Sequence, residues 1–239
     1  MSIQVQKVEY RDGDTVLEAH VAYDEAVSGT RPGVLVSHTW AGRTEFEDRK
    51  AEQLAELGYV GFALDLFGKG VVGSGPEENA GLIQPFLDDR PMLQKRMQLA
   101  LDQLRGQKDV DSNRVAAVGF CFGGLCVLDL ARSAAELRGV VSFHGLLGSP
   151  GNTAGNTMKA KALLLHGWKD PLATPEQVLE FATEMDGLDA DWQLHAYGKS
   201  MHAFTNPNAN EADRGMLYDP VAEHRSWDSM RLFLDEVFA

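Results

Sequence analysis

Three residues of this chain have the types and the order that nucleophilic catalysis needs: Cys121, Asp170 and His202. A thiol attacks as its thiolate, so it needs a base to take its proton, and the base needs an acid to orient it. Cys121 stands in Gly119-Phe120-Cys121-Phe122-Gly123, after the apolar run Arg114–Val118 and just before a helical pattern that begins at Gly124. This Gly-x-nucleophile-x-Gly spacing turns a strand into a helix within about one residue. The nucleophile then sits in strained backbone at the tip, and the flanking glycines let the two backbones cross without Cβ clashes. The helix N-terminus beneath it carries partial positive charge and N–H groups, which favour a thiolate and a developing oxyanion. A buried structural cysteine before a glycine-rich turn is the competing reading. It does not account for strand, elbow and helix arriving in that order.

The partners are sought after the nucleophile, acid first and histidine second, at the carboxyl ends of later strands. Asp170 lies in Gly167-Trp168-Lys169-Asp170-Pro171, beyond the apolar strand ending Leu165-His166. His202 lies in the loop Gly198–Phe204, beyond the strand that follows. His38, His144 and His166 end strands and are expected to bond loop backbone, with His144 also a candidate for the pocket. The oxyanion donors expected are the backbone N–H of Phe122 and that of Trp40, the latter in the loop after the strand Gly33–His38. Thr39, Trp40, Phe67, Phe122, His144, Trp168 and Phe204 are the candidate lining of an apolar, partly aromatic pocket. There is no HExxH and no paired cysteine spacing, so no metal site is expected.

The elements that carry these residues alternate. Ile3–Tyr10 and Thr15–Tyr23 read as an antiparallel hairpin at a sheet edge. Short buried strands then alternate with helices: strand 33–38, helix 44–57, strand 59–64, helices 77–87 and 90–104, strand 114–118, helix 125–133, strand 139–144, strand 162–166, helix 175–185, strand 190–197 and helix 221–238. Such a pattern means a mainly parallel sheet covered by helices on both faces, here as one domain over residues 1–239.

Composition excludes several other roles. Apolar residues make up 44% of the chain, enough for a full core. The net charge of −13 comes from 35 acidic and 22 basic residues, with no basic cluster, so neither nucleic acid nor an anionic membrane is an expected partner. Cys121 and Cys126 are too few for a disulfide framework and, five apart at a helix start, badly spaced for a bridge. With no signal-like N-terminal segment and no apolar run of membrane-spanning length, a cytoplasmic location and a monomer or homodimer are expected.

With the elbow GFCFGG, the HGWKDP loop and the GKSMHAF loop, the chain resembles the dienelactone hydrolase family of α/β-hydrolases from Gly33 to the last helix. The resemblance implies an α/β-hydrolase fold, a Cys121–His202–Asp170 triad, and cleavage of small-molecule esters or lactones through an acyl-thioenzyme without cofactor. Members that act on dienelactone carry a glutamate in the loop after the third strand, where this chain has Thr39 or His38. They also carry arginines for the substrate carboxylate, one of them four residues past the catalytic histidine, where this chain has Asn206. A neutral, apolar or aromatic substrate is therefore expected.

Cysteine narrows the substrate further. A tetrahedral intermediate expels the weaker base, and a thiolate (pKa near 8.5) leaves far more readily than an alkoxide. Enol lactones, aryl esters and thioesters suit such a nucleophile, and aryl phosphate triesters fit the same reasoning as a side activity. Two non-hydrolytic readings compete: a redox-sensing thiol protein, and a ligand-binding homologue that has lost catalysis.

Overall fold

The structure, a computed structural model, describes residues 2–239. The chain forms two compact units, the first ending at Val118 and the second running Gly119–Ala239.

The first unit opens on the expected hairpin, β1 (Ile3–Asp12) and β2 (Thr15–Asp24), paired antiparallel with Asp12 opposite Thr15. The sequence suggests a four-residue connection at 11–14. The strands instead run on and close over Gly13-Asp14, with Gly13 at φ +57°, the left-handed backbone that a two-residue hairpin turn requires. Next come β3 (Arg31–Ser37), α1 (Glu45–Glu56), β4 (Val60–Ala63), α2 (Pro76–Asp88), α3 (Arg90–Arg105) and β5 (Val110–Phe120). The strand order is β1-β2-β4-β3-β5, with β2 antiparallel and β3 parallel to β4. β2 does not show the half-exposed alternation expected of an edge. It lies between β1 and β4 with α1 packed on it, so six successive residues, Leu17–Ala22, are buried. The edge is β1 alone. Thr44 and Glu47 form a capping box that starts α1.

The second unit takes up the end of β5 and continues through α4 (Phe122–Arg132), β6 (Gly139–Phe143), β7 (Lys161–Gly167), α5 (Pro175–Gly187), β8 (Trp192–Tyr197) and α6 (Pro220–Phe238). β6, β7 and β8 pair in parallel in that order. The middle strands β6 and β7 are mostly apolar and are buried along their length except at Lys161, as strands covered on both faces must be. Between β8 and α6 lies an excursion absent from the sequence reading. Two short strands, β9 (Asn210–Glu211) and β10 (Met216–Leu217), pair antiparallel around a 3₁₀ turn at Ala212–Arg214. Arg132, fully buried at the end of α4, fastens this unit's outer parts. Its guanidinium donates to Glu184 of α5 at 2.6 Å, to Asp129 at 3.3 Å, and to the carbonyls of Leu147 and Gly148. Among the described residues no helix is long and apolar enough to cross a membrane.

Candidate active site

The elbow forms as its spacing dictates. β5 ends at Phe120, Cys121 takes φ +57° and ψ −118°, and α4 begins at once with Phe122. The helix therefore starts two residues earlier than the glycines suggest. Backbone of this kind on a side-chain-bearing residue costs about 1–3 kcal/mol and persists only where the surroundings hold it. Here the Cys121 N–H donates to Phe143 O at 3.0 Å, and its carbonyl accepts the Gly124 N–H at 2.9 Å. Gly119 is required by close approach, since a Cβ there would stand 2.0 Å from the Gly123 carbonyl oxygen. Cys121 is partly exposed and Cys126 is buried within α4, and neither is bridged in a disulfide. Phe122 is the first residue of α4, where backbone N–H groups have no acceptor within the helix.

Asp170 and His202 are brought together. His202 Nδ1 lies 2.7 Å from Asp170 Oδ2, with both side chains almost wholly buried. The other carboxylate oxygen, Oδ1, accepts the Leu172 N–H at 2.8 Å. A carboxylate only accepts, so Nδ1 donates to Asp170 and Nε2 is the ring nitrogen left to exchange a proton. Nε2 is buried with no completed hydrogen bond. The Cys121 charge nevertheless favours the protonated ring. Burial works against protonation of His202 more than any other single influence. It is outweighed by the Cys121 charge and the Asp170 hydrogen bond together with their lesser contributions, and the pKa is pushed up to about 10.

Both loops are tied down locally. In the acid loop Trp168 N–H donates to Tyr197 O, Lys169 N–H to Ser200 O and Asp170 N–H to Gly167 O, each at 3.0 Å. In the base loop Ser200 Oγ donates to Asp219 Oδ2 at 2.7 Å, and Asp219 caps α6 through the N–H groups of Val221 and Ala222. His144, at φ +39° just past β6, bonds the hydroxyl of Thr205 at 2.8 Å, a side-chain link to the base loop. Its ring lies edge-on to those of His202, at 5.2 Å, and Phe204, at 5.1 Å. His166 is buried, its Nε2 makes no hydrogen bond, and desolvation holds its pKa down against the pull of Asp170. The sequence assigned it loop backbone; it is a neutral ring beside the acid–base pair instead.

The remaining candidates divide between the units. In the first, His38 does bond loop backbone, through Nδ1 to Thr39 O at 2.7 Å and Nε2 to the Leu66 N–H at 3.2 Å. Phe67 lies edge-on to His38 at 4.6 Å and is half-buried, as are Thr39 and Trp40. Thr39 N–H is taken by Glu47 Oε1 at 3.1 Å. Among the described residues Trp40 N–H has no acceptor, the condition an oxyanion donor must meet. In the second unit Trp168 is 44% exposed, whereas Phe122, His144 and Phe204 are buried. Sequence reasoning missed Glu47, Thr205 and the β9–β10 excursion. Only Glu47 carried a signal, the Thr44-x-x-Glu47 box, and that signal points to a cap and not to Thr39. Among the described residues no group of three or more His, Cys, Asp or Glu could hold a metal ion.

Parallel strands alternating with helices, an N-terminal antiparallel hairpin and a strand–elbow–helix with cysteine at its tip define an α/β-hydrolase. The chain belongs to the dienelactone hydrolase family, whose model matches residues 17–238, and is a hydrolase of ester bonds. It is similar to the crystal structure of a dienelactone hydrolase-like promiscuous phosphotriesterase, P91, from metagenomic libraries. That similarity is 36% identity over 100% of both chains with a TM-score of 0.94. A solved structure called m3DLH matches at 36% identity over 100% of both chains, with a TM-score of 0.95. A probable 2-oxo-3-(5-oxofuran-2-ylidene)propanoate lactonase of Bradyrhizobium sp is 28% identical over 98% of this chain and 96% of its own.

Proposed function

We propose that the chain hydrolyses activated, neutral esters and lactones by covalent catalysis at Cys121, with His202 as general base and acid and Asp170 as its orienting partner. The observation that supports this most strongly is the state of His202. One ring nitrogen is fixed by Asp170 at 2.7 Å, and the other, Nε2, is buried without a hydrogen bond and left to exchange a proton with Cys121. In the scheme, the thiol proton already rests on His202 Nε2, since the ring stays protonated up to about pH 10, and the Cys121 thiolate adds to the carbonyl carbon. The oxyanion is met by the Phe122 N–H at the positive end of α4. The C–O bond breaks and His202 delivers its proton to the leaving oxygen, leaving a thioester on Cys121. Water, deprotonated by His202, then attacks the thioester and releases the carboxylic acid, which restores the Cys121 thiolate and the protonated His202. The scheme needs no cofactor.

Similarity to a lactonase and to a promiscuous phosphotriesterase supports lactones as substrates and aryl phosphate triesters as a side activity. A phenolate leaving group suits a thiolate nucleophile at carbon and at phosphorus alike. The absence of an arginine at Asn206 favours uncharged substrates. The test is turnover of a p-nitrophenyl ester by wild type, Cys121→Ala and His202→Ala. Both variants are expected to fall to background while remaining folded, and retained turnover in either one refutes the scheme.

A further inference from the structure

The β9–β10 excursion grips the base at its backbone. His202 N–H donates to Gly215 O at 2.9 Å, and His202 O accepts the Leu217 N–H at 3.1 Å, so both main-chain polar groups of His202 are satisfied by one short segment. His202 also forms an isolated parallel bridge with Met216. A loop histidine with both backbone groups so held cannot translate without breaking them. The same segment reaches the acid loop. Gly215 has φ +74°, and a Cβ on it would stand 2.2 Å from Pro171 Cγ and 2.4 Å from Pro171 Cδ. Pro171 directly follows Asp170. One residue thus bonds the backbone of the base and abuts the residue next to the acid.

We infer that Gly215 is a positioning residue: its contact with Pro171 and its bond to His202 set the Asp170–His202 distance, with the β9–β10 excursion as the jig that holds base and acid in register. The inference rests on the reading of His202 as the general base.

Any side chain at Gly215 must push the Pro171 ring, and with it Asp170, away from a segment bonded to His202. Displacements of about 1 Å at a catalytic group cost up to about 100-fold in rate. Gly215→Ala is expected to lower kcat for an aryl ester about 10- to 100-fold with KM changed less than about twofold. Backbone strain alone is controlled by Gly13→Ala, where φ is +57° and nothing lies within 4 Å of the added Cβ, so kcat there stays at wild type. The decisive variant is Gly215→Ala with Pro171→Ala. It removes the two proline carbons that collide and leaves Pro171 Cβ at 3.6 Å, an ordinary contact. The double variant is expected to recover most of the lost kcat although it keeps the strain, which a merely structural role would not allow. Full kcat in Gly215→Ala, or no recovery in a double variant that melts like Gly13→Ala, overturns the inference. His202→Ala measured alongside separates the two levels. If it stays active the reading of the base has failed, and if it is inactive while Gly215→Ala is unimpaired only the positioning role has failed.

Discussion

Asp170→Asn changes the acid by one atom and leaves its size intact, so its effect can be worked from the hydrogen bonds. Asp170 accepts twice, from His202 Nδ1 at 2.7 Å and from Leu172 N–H at 2.8 Å, and is 3% exposed. An asparagine has one accepting oxygen and one donating nitrogen. If the oxygen stays with Leu172, the amide N–H faces His202 Nδ1. That nitrogen must then become the acceptor, so the ring can hold only one proton, on Nε2, and the proton of Cys121 stays on the sulfur. If the oxygen turns to His202, two buried donors meet at Leu172 at a cost of about 1–3 kcal/mol. The first arrangement avoids that cost, so the tautomer is wrong in the ground state. The expected loss in kcat is about 10³- to 10⁴-fold, the size of the effect when the orienting acid of a serine triad is amidated. That corresponds to about 4–5.5 kcal/mol of barrier. Asp170 also helps to raise the His202 pKa, so the substitution leaves burial less opposed and the pKa falls. The assay is kcat for an aryl ester with active sites counted by thiol titration, paired with an NMR titration of His202. A folded variant that keeps more than about a tenth of wild-type kcat, or an unmoved His202 titration, refutes the reasoning.

Three further outcomes follow from the same structure. Because the His202 pKa is held near 10, hydrolysis of alkyl esters, whose leaving oxygen needs the His202 proton, is expected to decline as pH rises through about 10. Turnover of p-nitrophenyl esters, whose leaving group needs no proton, holds over that range, and parallel declines would contradict the assignment. The same raised pKa, against 6.5 for an ordinary histidine, means that the stability it contributes is full below about pH 6.5 and is lost as pH rises through about 10. Chemical denaturation of wild type and His202→Gln across that window measures it. Arg132→Ala takes the buried cation from Asp129 and Glu184 together with two carbonyl bonds, and is expected to cost about 3–5 kcal/mol in urea unfolding. A loss below about 1 kcal/mol would mean that the Arg132 cluster does not hold the unit together.

What the sequence made legible was local in origin. The elbow announces itself because Gly119, Cys121 and Gly123 lie within five residues and each answers a steric demand of the same turn. Asp170 was findable because it follows an apolar strand at its carboxyl end, and His202 because it lies in the loop past the next strand. The helix start at Phe122 was obscured by Gly123 and Gly124, whose poor helix propensity is overridden by the close crossing that the elbow needs. The start of β5 was hidden by Asp111-Ser112-Asn113, polar residues in a strand extension that runs from Val110. The β9–β10 excursion was not legible at all. Strands of two residues have no periodicity, and the stretch Asn206–Gly215 carries only turn chemistry; its structure comes from the His202 backbone and from Pro171. Glu47 was legible as a cap. Its second role at Thr39 depends on a contact eight residues away and buried.

The most direct test of covalent catalysis at Cys121 is to mix enzyme with a p-nitrophenyl ester, quench in acid within the first turnover, and map the acyl group by mass spectrometry of the peptide around the elbow. The account expects one acyl group per chain on Cys121, formed in a burst that matches p-nitrophenolate release and absent in Cys121→Ala. An unmodified Cys121 peptide accompanying full product release would contradict it.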